Sequence, residues 1–314
     1  MRIRELRKRD APQALRFLLT EFPEEEAILG TRPEGFEKIV HRVFRWDAQL
    51  LLGLLRLFRR PIFNFYVAEE DGKIVGTTIL SFEKRTGYLS MVVVDPDYRR
   101  RGFAQALLEK ARATVAGVGR PFVTLDVLAS NAPARALYER MGYRRLRTQS
   151  FLAHEDATRF PRAPGPSAAA IRPFRPADAR PLAEIVRRSN PPEVEEVLPP
   201  SEASLRGSSL ANRMLEAESA AWVVDRGHGA EAWIRAVVSA ATEAGHVSAP
   251  IVGEGVEPEV AAELIRSAGA WLAERGPRRI ATQVPEENRR GRAALDGGGF
   301  HEAFQSYTLY RPVA

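Results

Sequence analysis

The chain has 314 residues, no cysteine and a formal net charge of +6 at pH 7. It is long enough for two ordinary domains, and the missing cysteines exclude disulfides, cysteine zinc sites and a cysteine nucleophile. The positive charge lies in the first half and suits a phosphate-rich ligand; without a recognisable nucleic-acid motif, we expect no specific nucleic-acid binding. The basic N-terminus has no apolar signal region and no apolar run is long enough for a bilayer, so we expect a cytoplasmic protein without a membrane span.

The pattern at the start of the chain predicts a strand over 2–7 and a helix over 10–20. The next segment carries six glutamates between Glu21 and Glu37, and then a long apolar helix over 36–58. The glutamates either attract a cationic amine or form a solvated face. For the apolar helix, a lid, a core extension and a face for a homodimer all stay open, whereas docking on a membrane surface is less favoured.

Strands over 63–68 and 73–82 follow, joined by a hairpin turn at 70–72. The next strand contains the apolar run Met91–Val94. It ends before Pro96, because proline has no N–H to donate to a strand ladder.

A basic turn, Arg99–Gly102, separates that strand from a predicted helix. Apolar residues recur in this helix at helical spacing, at Phe103, Leu107, Ala111 and Val115. A helix start offers free backbone N–H groups and the positive end of the helix dipole. The sequence therefore predicts a phosphate-binding turn here.

The first half closes with a strand over 122–128, a helix over 132–141 and a strand near 143–154. Asn131 stands directly before the helix. Gly142 suits the left-handed residue that ends many helices.

Two of these segments resemble the GNAT superfamily of acetyl-CoA-dependent N-acetyltransferases. Arg99, Gly102 and Ala104 match its motif Q/R-x-x-G-x-G/A, and Asn131–Tyr143 matches its N-x-x-A-x-x-L-Y-x-x-x-G-F/Y segment. They stand in the family's order, about 30 residues apart. The resemblance implies an α/β fold with a mixed, mostly antiparallel sheet flanked by helices. It also implies transfer of an acetyl group from acetyl-CoA to a primary amine by direct attack, on a small-molecule or peptide acceptor.

The resemblance also implies a set of donor-binding residues. Backbone groups of the strand would hold the pantetheine arm, N–H groups of the turn would bind the pyrophosphate, and Asn131 would contact the pantetheine or anchor its loop. The predicted residues are Val92, Val93, Val94, Arg99, Arg100, Arg101, Gly102, Phe103, Ala104, Gln105, Asn131, Ala134 and Tyr138.

Tyr138 is the catalytic residue that the resemblance implies, as the general acid that returns a proton to the departing thiolate. The general base is open: Asp126 and Glu83 are both candidates. The five histidines show no metal-ligand spacing, so we predict no metal.

The sequence then begins again after a connector rich in proline, alanine and glycine. Ile3–Ala11 is echoed by Ile171–Ala179, Gly87 by Gly245, and the pair Asn131 and Gly142 by the pair Asn288 and Gly299, in the same order. We predict a catalytic GNAT domain over 1–155, a linker over 156–168 and a degenerate GNAT-like domain over 169–314.

The second copy lacks the donor chemistry. A register carried without gaps from Gly245 places Glu257 opposite Arg99, Glu259 opposite Arg101 and Val260 opposite Gly102, and Leu295 stands at the position of Tyr138. Carboxylates repel a pyrophosphate, so we expect one donor site per chain. The alternatives are another acyl donor, as in mycothiol-synthase-like enzymes, and a non-catalytic CoA-binding sensor or scaffold.

Overall fold

The computed structural model describes residues 1–20, 30, 63–160, 171–207, 217–239 and 242–313. The predicted glutamate run and the predicted apolar helix over 36–58 lie outside these residues. The described elements of the first half are β1 (Arg2–Glu5), α1 (Ala11–Thr20), β2 (Phe63–Glu70), β3 (Lys73–Phe82), β4 (Thr86–Val94), α2 (Phe103–Gly117), β5 (Phe122–Leu128), α3 (Ala132–Arg140) and β6 (Arg144–His154).

The described elements of the second half repeat this order. They are β7 (Ile171–Pro173), α4 (Ala179–Ser189), α5 (Pro192–Val197), α6 (Glu202–Arg206), β8 (Ala217–Asp225), β9 (Ala230–Ser239), β10 (Gly245–Val247), β11 (Ile251–Val252), α7 (Pro258–Ala273), β12 (Ile280–Pro285), α8 (Arg289–Gly297) and β13 (His301–Pro312). Parallel pairing occurs at matching places, between β4 and β5 and between β10 and β12, and the other described pairs are antiparallel.

The predicted fold class, two tandem GNAT-like units with mostly antiparallel sheets flanked by helices, is confirmed. Most boundaries agree within two residues. The largest difference is β4, which begins at Thr86 rather than Met91. Its first residues alternate between buried and half-buried positions, a weaker signal than the apolar run that follows.

An ion-pair motif is repeated in both halves. Arg4 bonds Asp10 at 2.6 Å and Glu69 at 2.6 Å. In the same way, Arg172 bonds Asp178 and Asp225, each at 2.7 Å. The hydrogen bond from Arg172 lowers the pKa of Asp178. In each half, this contact ties the first strand to the start of the next helix and to the next strand. The first of these partners lies within the echo between Ile3–Ala11 and Ile171–Ala179.

The two halves exchange their closing strands. In the sheet order β1-β2-β3-β4-β5-β13-β6-β12-β10-β9-β8-β7, the last strand of the chain lies between β5 and β6. β13 pairs with β5 over seven positions, from Ser306↔Leu128 to Pro312↔Phe122, and β6 pairs with β12 over six. Each half is thus completed by hydrogen bonds to the other.

The start of the predicted connector is packed rather than exposed. Ala157 and Phe160 are buried in the core of the second half, beneath α7. Gly269 of α7 makes room for the Phe160 ring, because a Cβ there would lie 2.4 Å from it. The proline- and glycine-rich composition of the connector favours an exposed segment. Its first residues are instead held in place by the packing of Phe160 against Gly269.

Gly87 and Gly245 stand at equivalent places under the first long helix of each half. A Cβ on Gly87 would lie 2.2 Å from Cγ2 of Val115, and a Cβ on Gly245 would lie 2.8 Å from Cδ2 of Leu272. The two glycines let α2 and α7 approach their sheets.

We expect Gly87→Ala to lower the free energy of unfolding by about 1–3 kcal/mol, because overpacking forces the α2 side chains or backbone to shift. Urea denaturation measures the change. Gly117→Ala is the matched control, since a Cβ at the end of α2 meets nothing within 4 Å, and it should leave stability equal or slightly higher. Equal midpoints for both variants would contradict the close-packing argument.

Candidate active site

A cleft opens where β4 and β5 part. The two strands pair only from Thr86↔Phe122 to Leu89↔Leu125. Beyond that point a cavity of about 830 Å³, the β4–β5 cleft, lies between them and is bounded by the N-terminal ends of α2 and α3. β4 is also bulged here: Met91 has a φ of 56°, and Met91 and Val92 together face Thr78 of β3. The edge of β4 that faces the cleft thus has no β5 partner beyond Leu89.

The N-terminus of α2 forms one end of the β4–β5 cleft. Gly102 is the N-cap residue, with a φ of 86° and no side chain to bond the helix N–H groups. The first intrahelical bond there is donated by Ala106 to the carbonyl of Gly102, at 3.0 Å. The N–H groups of the first helical turn, from Phe103 to Gln105, therefore have no acceptor within the helix and can face a ligand. Arg100 is also left-handed, with a φ of 62°, and such residues are typical of backbone nests that bind anions.

The three arginines before Gly102 have different surroundings. Arg99 and Arg100 line the cleft, and the Nε of Arg99 donates to the carbonyl of Val94 at 3.1 Å. Arg101 is not among the lining residues; its guanidinium pairs with Glu70 at 2.5 Å and lies over the Tyr98 ring. The structure thus turns two of the three predicted arginine side chains toward the cleft.

Asn131 caps α3 at the other wall. Its side-chain oxygen accepts from the N–H of Ala134 at 3.1 Å, which supports the predicted anchoring role. Both residues line the cleft.

Tyr138 is buried in α3, with its ring 5.8 Å from that of Tyr143, and it lines the cleft. No hydrogen bond joins its hydroxyl to another described residue. Burial raises the pKa of Tyr138 to about 12. The phenol is therefore protonated at neutral pH and holds a proton that it can donate.

The two base candidates have different environments. Asp126 lines the cleft from β5 and accepts hydrogen bonds from Tyr88 at 3.0 Å and from Thr308 at 2.6 Å. Glu83 lies within electrostatic reach of Asp126 and Arg147. Desolvation and the charge of Asp126 raise the pKa of Glu83, whereas Arg147 opposes the rise.

The structure brings every predicted site residue except the Arg101 side chain to the β4–β5 cleft. It also adds residues that sequence reasoning missed, namely Tyr98, Ser130, Pro133, Leu137 and Arg140. Leu137 could have been predicted from the sequence, because it follows Ala134 at helical spacing and lies on the same helix face. Thr308 was not, because its place beside Asp126 depends on the exchange of β13.

The same region of the second half is closed. Glu257 is the N-cap residue of α7, so it stands where Gly102 stands. The gapless register, which matched Val260 to Gly102, is wrong by three residues because the loop before α7 is shorter. At the place in the second half that corresponds to the cleft, the Nδ2 of Asn288 donates to the carbonyl of Pro250 at 2.8 Å. Gly291, which replaces Ala134, has no room for a Cβ against that same carbonyl.

The described residues contain neither a metal centre nor a helix that could cross a membrane. No three acidic, histidine or cysteine side chains within the described ranges are arranged to hold a metal ion. No helix among them has the length and hydrophobicity that a bilayer span requires.

Residues 18–143 match the model of the acetyltransferase (GNAT) family. The matched segment, which makes up most of the first half, is a GNAT-family domain. The family transfers acetyl groups, uses acetyl-CoA and acts on amine-bearing acceptors. The first half is thus an acyltransferase domain by family, and the β4–β5 cleft lies within the matched residues.

Solved structures resemble the whole tandem fold. A GCN5-related N-acetyltransferase from Sphaerobacter thermophilus is 18% identical, covers 99% of this chain and 95% of its own length, and has a TM-score of 0.61. A tandem GNAT protein from the clavulanic acid biosynthesis pathway is 18% identical, with coverages of 80% and 83% and a TM-score of 0.56. A putative acetyltransferase from Pyrococcus horikoshii is 14% identical, with coverages of 99% and 89% and a TM-score of 0.57. At these identities the likeness concerns the fold.

We expect Gly102→Glu to weaken acetyl-CoA binding at least about tenfold, because a carboxylate would stand at the helix N-terminus that faces the cleft. Isothermal titration calorimetry gives the Kd. Gly119→Glu is the matched control: Gly119 is also left-handed and also has nothing within 4 Å of a Cβ, but it does not line the cleft. Equal affinities for the two variants would contradict the assignment of this turn.

We also expect one acetyl-CoA per chain. The second half has a glutamate at the N-cap of α7 and a closed strand gap, so it offers neither an anion site nor space for the pantetheine arm. Native mass spectrometry at saturating acetyl-CoA counts the bound molecules. A second molecule of equal affinity would contradict the argument.

Proposed function

We propose that this protein transfers the acetyl group of acetyl-CoA to a primary amine, in one site within the first half. One observation carries the proposal: the same cleft is lined by a helix N-terminus without a side-chain cap and by the buried Tyr138, whose hydroxyl forms no hydrogen bond with another described residue. The first feature suits a pyrophosphate and the second suits a leaving group that needs a proton. We assign the catalytic domain to 1–155, the linker to 156–168 and a non-catalytic partner domain to 169–314, and we place the protein in the cytoplasm.

The fit to acetyl-CoA rests on the backbone. The edge of β4 from Val92 to Val94 lacks a strand partner on the cleft side and can bind an extended amide chain as a further strand would. The N–H groups from Arg100 to Gln105 then face the pyrophosphate, and Arg99 and Arg100 add charge. Asn131 fixes the start of α3 on the opposite wall.

Tyr138 supplies the proton in the transfer step. The neutral amine nitrogen forms a bond to the thioester carbonyl carbon, the bond from that carbon to sulfur breaks, and the phenol donates its proton to the departing sulfur. The proton that the nitrogen loses on becoming an amide returns through solvent to the phenolate. Because the pKa of Tyr138 is raised to about 12, the donor stays protonated across the neutral range. Loss of this proton should therefore not limit the rate below about pH 10.

The acceptor must lose a proton before it attacks. Glu83 is the better candidate for the base, because a carboxyl whose pKa is raised takes up a proton nearer to neutral pH. Asp126 lines the cleft, and hydrogen bonds from Tyr88 and Thr308 hold its side chain there, so we assign it to binding the ammonium group of the acceptor.

We expect Tyr138→Phe to lower kcat by about 100- to 10,000-fold while the Kd of acetyl-CoA stays nearly constant, since only the hydroxyl is lost. The assay follows release of the CoA thiol with spermidine, glucosamine and an alanine-led tripeptide as acceptors.

Tyr143→Phe is the matched control for this substitution. Its hydroxyl is also buried and without a partner among the described residues, and burial raises its pKa, but it does not line the cleft. It should retain the activity of the wild type. Equal turnover for wild type and Tyr138→Phe would remove Tyr138 from the mechanism. Turnover of a different acyl-CoA, with acetyl-CoA inert, would change the donor.

A further inference from the structure

Asp126 is held by side chains from both halves of the chain. Its Oδ2 accepts from the Tyr88 hydroxyl at 3.0 Å, and its Oδ1 accepts from the Thr308 hydroxyl at 2.6 Å. Gln149 donates to the Thr308 oxygen at 2.7 Å and more distantly to Oδ1, at 3.3 Å. Tyr88 and Gln149 come from β4 and β6 of the first half, but Thr308 belongs to the second.

The hydrogen bonds run in one direction toward the carboxylate. Because the Thr308 hydroxyl donates its proton to Asp126, its oxygen is free to accept from Gln149. Thr308 is 2% exposed and Gln149 7% exposed, so water does not compete for these bonds. Buried bonds to a charged group are the stronger kind, and they fix the orientation of the Asp126 side chain at the wall of the cleft.

The second half contains the corresponding place without this chemistry. Gly87 pairs with Val123 and Gly245 pairs with Ile280, so Gln283 of β12 corresponds to Asp126. The strand partner of Asp126 is Thr308, and the strand partner of Gln283 is Phe151. In the second half, the amide of Gln283 thus pairs with an aromatic residue. In the first half, which has the cleft, the carboxylate of Asp126 pairs with a residue that carries a hydroxyl.

We propose that Thr308 is a positioning residue for the acceptor site: the second half supplies it through β13, and it orients Asp126 to bind the ammonium group of the amine. This inference rests on the proposed function of the β4–β5 cleft. It makes the second half, which has lost its own donor site, a working part of the active centre of the first.

The test is Thr308→Val in the full-length chain, which replaces the hydroxyl by a methyl group of similar size. We expect the KM for the best of the three acceptors, spermidine, glucosamine or the tripeptide, to rise on the order of tenfold, as loss of one bond to a charged group predicts. The Kd of acetyl-CoA should stay unchanged. Thr308→Ser, which keeps the hydroxyl, should restore KM.

Thr282→Val is the matched control. Thr282 is also a fully buried strand threonine of the second half, and its hydroxyl has no partner among the described residues. It should keep the KM of the wild type. If Thr308→Val does not fold, Thr308→Ala removes the same hydroxyl without the added methyl group and carries the same expectation.

The outcomes separate the inference from the proposed function. An active wild type whose KM is unchanged by loss of the Thr308 hydroxyl would overturn the positioning role and leave the acetyltransferase assignment intact. A rise in KM that serine does not reverse would also overturn it, because packing rather than the hydroxyl would then be responsible. A wild type that binds no acetyl-CoA and acetylates none of the three amines would overturn the proposed function, and the inference with it.

Discussion

The pairing of β13 with β5 is the interaction on which the rest of this structure depends. β4 leaves β5 after Leu89, and this divergence creates the cleft but also deprives the end of β5 of one neighbour. Residues 126–128 then pair only with Ser306–Thr308 of β13 among the described strands. A strand end with one open side needs a firm partner on the other, since unpaired backbone groups are costly. The second half provides that partner, so an open cleft in one half requires the other half.

The two halves share the contacts that hold the fold together, although only the first half has the donor cleft. The ion-pair motif of Arg4 and Arg172, the glycines under the long helices and the asparagine caps of α3 and α8 are kept in both. These contacts hold the elements of each half together. The halves differ at the helix N-cap and between the strands, where the second half has a glutamate and a hydrogen bond from Asn288 in place of the glycine turn and the cleft.

Burial gives the functional side chains their properties. Tyr138 and Tyr143 lie side by side with buried rings, and burial raises the pKa of both. Tyr138 lines the cleft and Tyr143 does not, so only Tyr138 is placed to meet a ligand there. In the same way, desolvation raises the pKa of Glu83 in the loop between β3 and β4.

The sequence by itself determined the local parts of this protein. The strand ending before Pro96, the glycine turn and the helix that begins at Phe103 follow from backbone preferences of a few neighbouring residues, and the repeat follows from echoes at matching positions. Only the tertiary structure decided what long-range pairing brings together: the exchange of β13 and β6, the burial of Phe160 against Gly269, the turn of Arg101 toward Glu70 and the contact of Thr308 with Asp126. Those partners lie between 31 and 190 residues apart in the chain, from Glu70 and Arg101 to Phe122 and Pro312. A sequence pattern predicts the conformation of a segment, because that conformation depends on neighbouring residues. Which segments pack together depends on the free energy of contact between surfaces that are distant in the chain.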